Sequence, residues 1–214
     1  MPRFDLALYV VTDLGLSRNR DNAEVVRRAL AGGATMIQYR EKSLPDDAMA
    51  EEAAHLLVLC RAAGVPLVVN DRIDVALRVG ADGLHVGQGD LDPGEARRRL
   101  GDGRILGVSV HDAGEARRAE ALGADYIAAN GLFPTASKTD LGAPLGLDGL
   151  ARIAAATPLP VVAIGGIHAG NAASVVRAGA AGIAVISAVV SADDIEGACA
   201  ALRQAVAAGM AGRG

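Results

Sequence analysis

Eight short apolar runs, each followed by a segment with helical spacing, recur along this chain, and few folds accept so many alternations without an interrupting domain. The runs are Leu8 to Val11, Met36 to Tyr39, Leu67 to Val69, Leu84 to Val86, Ile105 to Val108, Tyr126 to Ala129, Val161 to Ile164 and Ile183 to Ile186. Helical patterns lie between them at Asn22 to Ala31, Asp46 to Ala63, Gly114 to Leu122, Leu147 to Ala156, Ala169 to Ala178 and Asp193 to Ala208, with shorter ones at Ile73 to Val79 and Pro93 to Leu100. Four helices run into Gly-Ala, at Gly33-Ala34, Gly80-Ala81, Gly123-Ala124 and Gly179-Ala180, where glycine supplies a left-handed stop that turns the chain back into a strand. This order predicts an α/β chain folded as one (β/α)₈ TIM barrel domain over residues 1–214, rather than an open doubly wound sheet. No Gly-x-Gly-x-x-Gly follows the first strand, which further disfavours a dinucleotide fold.

Composition narrows the function. About half of the 214 residues are apolar, enough to bury a full core. The formal net charge is −4, the aromatic residues are three tyrosines and two phenylalanines, and no basic block is long enough to track a phosphate backbone. No nucleic-acid partner is expected. The N-terminal stretch carries Asp5 and no long apolar run, and no window holds eighteen uninterrupted apolar residues, so the expectation is a cytoplasmic chain without a membrane partner. Cys60 and Cys199 fall inside helical patterns, match no metal spacing and read as reduced, packed thiols.

In such a barrel the active site collects on the loops after the strands, so the polar residues at strand ends are the candidates. Asp71 and Asp90 fall just past the third and fourth strands, on one edge of a parallel sheet. Two carboxylates there suit Mg²⁺, which takes one or two ligands from protein and the rest from phosphates and water; otherwise Asp71 caps a helix and Asp90 sits in a turn. After the second strand, Gln38, Arg40 and Lys42 alternate along an extended segment and would share one face at the barrel mouth. Arginine forks onto phosphate and lysine adds a point charge, unless the segment is only a solvated loop. His85 is either a hydrogen-bonded interior histidine or a substrate contact. Ser109 either donates to a phosphate oxygen or caps the next segment, a role Asp112 can also fill, and His111 reads as a loop residue.

The sixth strand leads into a long connection, Phe133 to Asp140, whose Thr135, Ser137, Lys138 and Thr139 suit an anionic ligand, unless the stretch is only a mobile polar loop. Gly165-Gly166 after the seventh strand and Ile186-Ser187 after the eighth fit the phosphate-monoester cup common in these barrels, although glycines also serve plain tight turns. His168 reads as the residue that opens the following helix.

The set Gln38-x-Arg40-x-Lys42, Asn70-Asp71-Arg72, His85-x-Gly87-Gln88-x-Asp90, Gly107-Val108-Ser109, Phe133-Pro134-Thr135-x-Ser137-Lys138 and Ile164-Gly165-Gly166-Ile167 resembles the thiamine-phosphate synthase family, in order and over essentially the whole chain. The resemblance implies a (β/α)₈ transferase that joins 4-amino-5-hydroxymethyl-2-methylpyrimidine diphosphate to thiazole phosphate with Mg²⁺ as cofactor. It implies that Gln38 contacts the pyrimidine, that Arg40, Lys42, Asn70, Ser109 and Lys138 hold the diphosphate, and that Asp71 and Asp90 bind the metal. Thr135, Ser137, Gly166, Ile186 and Ser187 would hold the thiazole phosphate. Arg40, Lys42, Ser109 and Lys138 would then stabilise charge on departing pyrophosphate, a task that needs no general base. The partners implied are these two small molecules, and a homo-oligomer is compatible with the reading.

The chain departs from the family pattern at Asn130-Gly131, where Gly-Pro is usual, and at Ser137, where threonine is usual. Two alternatives stand beside the synthase: the thiazole tautomerase of the same superfamily, and a catalytically silent barrel that binds thiazole phosphate or thiamine phosphate. Retention of Arg40, Lys42, Asp71 and Asp90 argues against both, because neither needs a diphosphate and metal site.

Overall fold

The computed structural model describes residues 4–134 and 143–213. Eight parallel strands, β1 (Leu8–Val11), β2 (Met36–Tyr39), β3 (Leu67–Asn70), β4 (Gly83–Val86), β5 (Ile105–Val110), β6 (Tyr126–Ala129), β7 (Val161–Ile164) and β8 (Gly182–Val185), pair in chain order, and β8 closes onto β1. Parallel neighbours need crossover connections, and helices supply them. These are α1 (Asn22–Ala31), α2 (Asp46–Ala62), α3 (Ile73–Val79), α4 (Pro93–Leu100), α5 (Ala113–Ala121), α6 (Gly146–Ala154), α7 (Ala169–Arg177), the one-turn α8 (Ser187–Val190) and α9 (Ile195–Ala211). The expected (β/α)₈ barrel is therefore present. No helix among the described residues is long and apolar enough to cross a membrane.

Local chemistry explains the boundaries. Asp21, Asp92, Asp112 and Asp194 each accept a backbone N–H at a helix start, and His168 does so for α7 with Asn171 completing a capping box. Gly33, Gly80, Gly123 and Gly179 all take positive φ, as the Gly-Ala stops predicted. The strands differ from expectation where polar residues continue a ladder: β3 takes in Asn70, and β5 runs through Ser109 to Val110. An apolar pattern ends at the last hydrophobic residue, whereas the backbone ladder continues if the polar side chain finds partners inside. By contrast β8 stops at Val185, and Ile186 becomes the residue before α8, a helix the sequence pattern is too short to signal.

Alternation along the strands makes two cores. Leu8, Val10, Ile37, Val69 and Ile127 face the helices, while Tyr9, Met36, Val68, Ile105, Tyr126, Val162 and Ala184 fill the barrel interior. Gln38, Asn70 and Ser109 lie two residues beyond Met36, Val68 and Gly107, so they share the inward face at the C-terminal end of the barrel. A Cβ on Gly107 would lie 2.1 Å from Tyr126 Cζ and 2.2 Å from its hydroxyl oxygen. Glycine there makes room for one of the two tyrosines of the interior layer.

Candidate active site

A cavity of about 640 Å³ opens at the C-terminal ends of the strands, lined by Gln38, Arg40, Lys42, Asn70, Asp71, Asp90, Ser109 and Ile186 among others. Its size suits a small ligand. Gly166 and Ser187 are not part of that lining, and Thr135, Ser137 and Lys138 lie outside the described residues.

The two cations at the mouth are already paired with carboxylates. Arg40 follows β2 with its backbone N–H on Thr12 Oγ1 (3.0 Å) and its guanidinium on Asp13 Oδ2 (2.8 Å). Lys42 Nζ lies 2.5 Å from Asp71 Oδ2. A phosphorylated ligand would therefore enter a site whose donors are preset rather than scattered through solvent. Asp13, Tyr9 and Tyr126 are absent from the motif-based reading, but projecting the period-two alternation of β1 and β6 onto the barrel interior would have found both tyrosines.

Asp71 has φ 61°, a left-handed conformation uncommon for a residue other than glycine, and its N–H donates to the His85 carbonyl at 2.9 Å. The helix-cap alternative for Asp71 is overturned, because the residue before α3 is Arg72 and no side chain caps that helix. Instead the Asp71 carboxyl lies close enough to that of Asp90 for each to shift the other's titration. Asp90 does sit in a turn, its Oδ2 accepting from Gly87 N–H at 2.7 Å. Burial works to raise the Asp71 carboxyl, but hydrogen bonds from Asp90 and Lys42 outweigh it and hold the group below its usual value. Partial desolvation of its carboxyl, on a residue otherwise open to solvent, and the neighbouring Asp71 raise Asp90 above its own. Two facing carboxylates that push each other apart in this way fit a divalent cation, which would relieve the repulsion. Both donors are carboxylate oxygens, hard ligands of the kind such a cation takes.

Below the mouth runs a buried polar chain. Gln38 Nε2 donates to Tyr9 Oη (2.7 Å), Tyr9 Oη contacts Tyr126 Oη (2.8 Å), Tyr126 Oη contacts His85 Nδ1 (2.9 Å), and His85 Nε2 contacts Ser109 Oγ (2.9 Å). His85 is thus a hydrogen-bonded interior histidine that also lines the cavity. Ser109 caps nothing, since Asp112 takes that role for α5. His111 bonds Glu115 at the cavity rim.

Gly165 (φ 113°) and Gly166 (φ 62°) are required by close packing. A Cβ on Gly166 would lie 2.6 Å from the Pro134 carbonyl and 2.8 Å from Phe133 Cβ, so the pair seats the base of the connection that follows β6. Phe133 N–H donates to the Gly165 carbonyl at 3.1 Å. Gly131 takes φ 66° and has no side chain to offer the cavity, whereas Asn130 beside it lines the wall.

A closed parallel barrel with two cations, an amide, a hydroxyl and a facing carboxylate pair at its C-terminal mouth defines the class: a (β/α)₈ protein with a polar, anion-compatible active-site mouth. A family model described as thiamine monophosphate synthase matches residues 8–189, and the chain belongs to that family. It is 54% identical over 202 residues to the thiamine-phosphate synthase of Chloroflexus aurantiacus, covering 94% of this chain and 93% of that protein. The thiamine-phosphate synthase of Moorella thermoacetica is 50% identical over 206 residues, covering 96% of this chain and 97% of that protein. Among solved structures, the thiamine phosphate pyrophosphorylase from Pyrococcus furiosus superposes with TM-score 0.89 at 42% identity, covering 97% of this chain and 98% of that one.

Proposed function

We propose that this chain is a thiamine-phosphate synthase, a transferase that couples 4-amino-5-hydroxymethyl-2-methylpyrimidine diphosphate to thiazole phosphate with release of pyrophosphate. The observation that carries the reading is the meeting, in one cavity of a member of this family, of Gln38, Arg40, Lys42 and Ser109 with the Asp71–Asp90 pair. The bond between the pyrimidine methylene and the diphosphate oxygen breaks, leaving its electron pair on pyrophosphate and a cation that ring nitrogens stabilise. The thiazole nitrogen then forms the new C–N bond.

No proton need move at carbon, so the chain's residues act by binding, charge stabilisation and exclusion of water. Gln38 orients the pyrimidine. Arg40, Lys42, Asn70, Ser109 and Lys138 hold the diphosphate, and their charge and hydrogen bonds favour its departure. Thr135, Ser137, Gly166, Ile186 and Ser187 hold the thiazole phosphate. Asp71 and Asp90 would hold Mg²⁺, which supplies positive charge to the diphosphate when bound. The cytoplasm, where phosphorylated small molecules are retained, is the compartment this chemistry suits.

The test supplies both substrates, with and without Mg²⁺, and follows thiamine phosphate and pyrophosphate, while NMR follows interconversion of thiazole tautomers on the same preparation. Mg²⁺-dependent coupling without tautomer exchange above background is expected, because Gly131 carries no proton shuttle. Tautomer exchange without coupling would replace the synthase by the tautomerase.

A further inference from the structure

We propose that Tyr126 is a positioning residue that fixes the direction of the hydrogen-bond chain from Gln38 to Ser109, so that the Ser109 hydroxyl donates into the cavity. The tyrosine is fully buried and bonds only residues that themselves line the cavity.

The direction follows from proton accounting. Gln38 offers an N–H to Tyr9 Oη, so the single Tyr9 proton must go to its other neighbour, Tyr126. If Tyr126 donated to Tyr9 instead, the Tyr9 proton would be buried without an acceptor, the costly case for a polar group removed from water. The Tyr126 proton therefore goes to His85 Nδ1. His85 is enclosed, meets hydroxyls at both ring nitrogens and accepts at Nδ1, so it is the neutral ring with its one proton on Nε2. That proton is given to Ser109 Oγ, and the Ser109 hydroxyl keeps its own proton for the cavity.

Polarity matters because an anion accepts only. In the reverse direction the Gln38 amide would turn over, Ser109 would donate to His85, and the cavity would meet its lone pairs. The proposed direction thus couples the amide at one end of the chain to a donor at the other. Resting on the reading above, that donor meets the diphosphate while the same chain holds the amide that meets the pyrimidine.

The tautomer is read without turnover. In ¹⁵N NMR of the metal-free protein labelled at histidine, the His85 resonance, assigned by its loss in His85→Gln, should show a proton on Nε2 and a bare Nδ1. A proton on Nδ1, or an averaged pair, overturns the proposal whatever the enzyme's activity. In turnover, Tyr126→Phe should lower kcat by about 10-fold, less than loss of a whole preorganised donor, with KM for the pyrimidine diphosphate little changed. In a Ser109→Ala background Tyr126→Phe should cost nothing further. An equal additional loss there would show that Tyr126 acts through packing rather than through Ser109. If the wild type fails to couple the substrates but shows the Nε2 tautomer, the reading of function fails and the polarity of the chain stands.

Discussion

Replacing Asp90 by Asn separates the fold's interest in the carboxylate pair from the site's. In the metal-free protein the two carboxyls lie near enough to perturb each other's ionisation. An amide at position 90 still accepts from Gly87 N–H, and its NH₂ donates to Asp71 without needing a shared proton. The charge removed is a like charge in contact. Two unit charges about 4 Å apart repel by about 1 kcal/mol in water and about 4 kcal/mol at the effective dielectric of a surface pair. Asp90 is exposed and Lys42 already offsets Asp71, so the lower figure applies. About 1 kcal/mol in a chain of this size is a rise in Tm of about 2–4 °C.

The pH sign agrees. Asp90 is raised, so its contribution is fully present below the unfolded carboxyl value and is lost as pH rises through the folded one, leaving the pair a liability at neutral pH. Asp71 is lowered, so it contributes above the unfolded value and loses that as pH falls through the folded one. With Mg²⁺ the order should invert: a cation at about 100 times its Kd stabilises the wild type by about 2.7 kcal/mol, and Asp90→Asn should forfeit most of that. The assay is thermal unfolding of both proteins at neutral pH, in chelator and in Mg²⁺. A variant less stable in chelator, or equally stabilised by Mg²⁺, would refute the assignment of the pair to a cation.

Lys138→Ala should slow the single-turnover chemical step by roughly 10²-fold or more if the lysine stabilises departing pyrophosphate; loss confined to substrate affinity would show that it only binds. Gly107→Ala should lower the urea midpoint by the equivalent of about 1–3 kcal/mol, because the new methyl overlaps the Tyr126 ring in a closed interior; an unchanged midpoint would mean the ring moves freely. Cys60 and Cys199, whose thiols burial pushes up to about 12, should resist a thiol reagent at neutral pH until urea unfolds the chain. Rapid labelling of the native protein would show that α2 or α9 opens.

The barrel was legible because strand and helix periods alternate eight times and Asp caps and glycine stops mark the joints. Asp71, Asp90, Arg40 and Lys42 were legible as strand-end charges. The sequence places Asn70 and Ser109 just past their strands, since an apolar pattern cannot show that a polar side chain sits inside a strand with partners waiting across the barrel. Tyr126 and Tyr9 carry no motif. Their roles emerge only when strands separated by 117 residues of chain bring two hydroxyls within 2.8 Å. The Asp13 partner of Arg40 is hidden for the same reason, lying 27 residues away in sequence and at the next strand end in space.

The glycines after β7 bear on how this scaffold can be re-engineered. Leu132 and Phe133 are tied to the end of β7, and Leu145 and Gly146 return to the carbonyls of Gly131 and Leu132 at 2.9 and 3.0 Å. The connection is therefore clamped at both feet, and its span is set by the barrel and not by its own sequence. Closing a longer segment between fixed feet costs little, about 0.6 kcal/mol per doubling of length. If the residues between Pro134 and Pro144 hold ligand as proposed, exchanges cut there would transplant ligand preference as a cassette and leave the barrel's thermal stability nearly untouched, whereas a graft that carried Leu132 or Phe133 with it would have to find glycines to sit on.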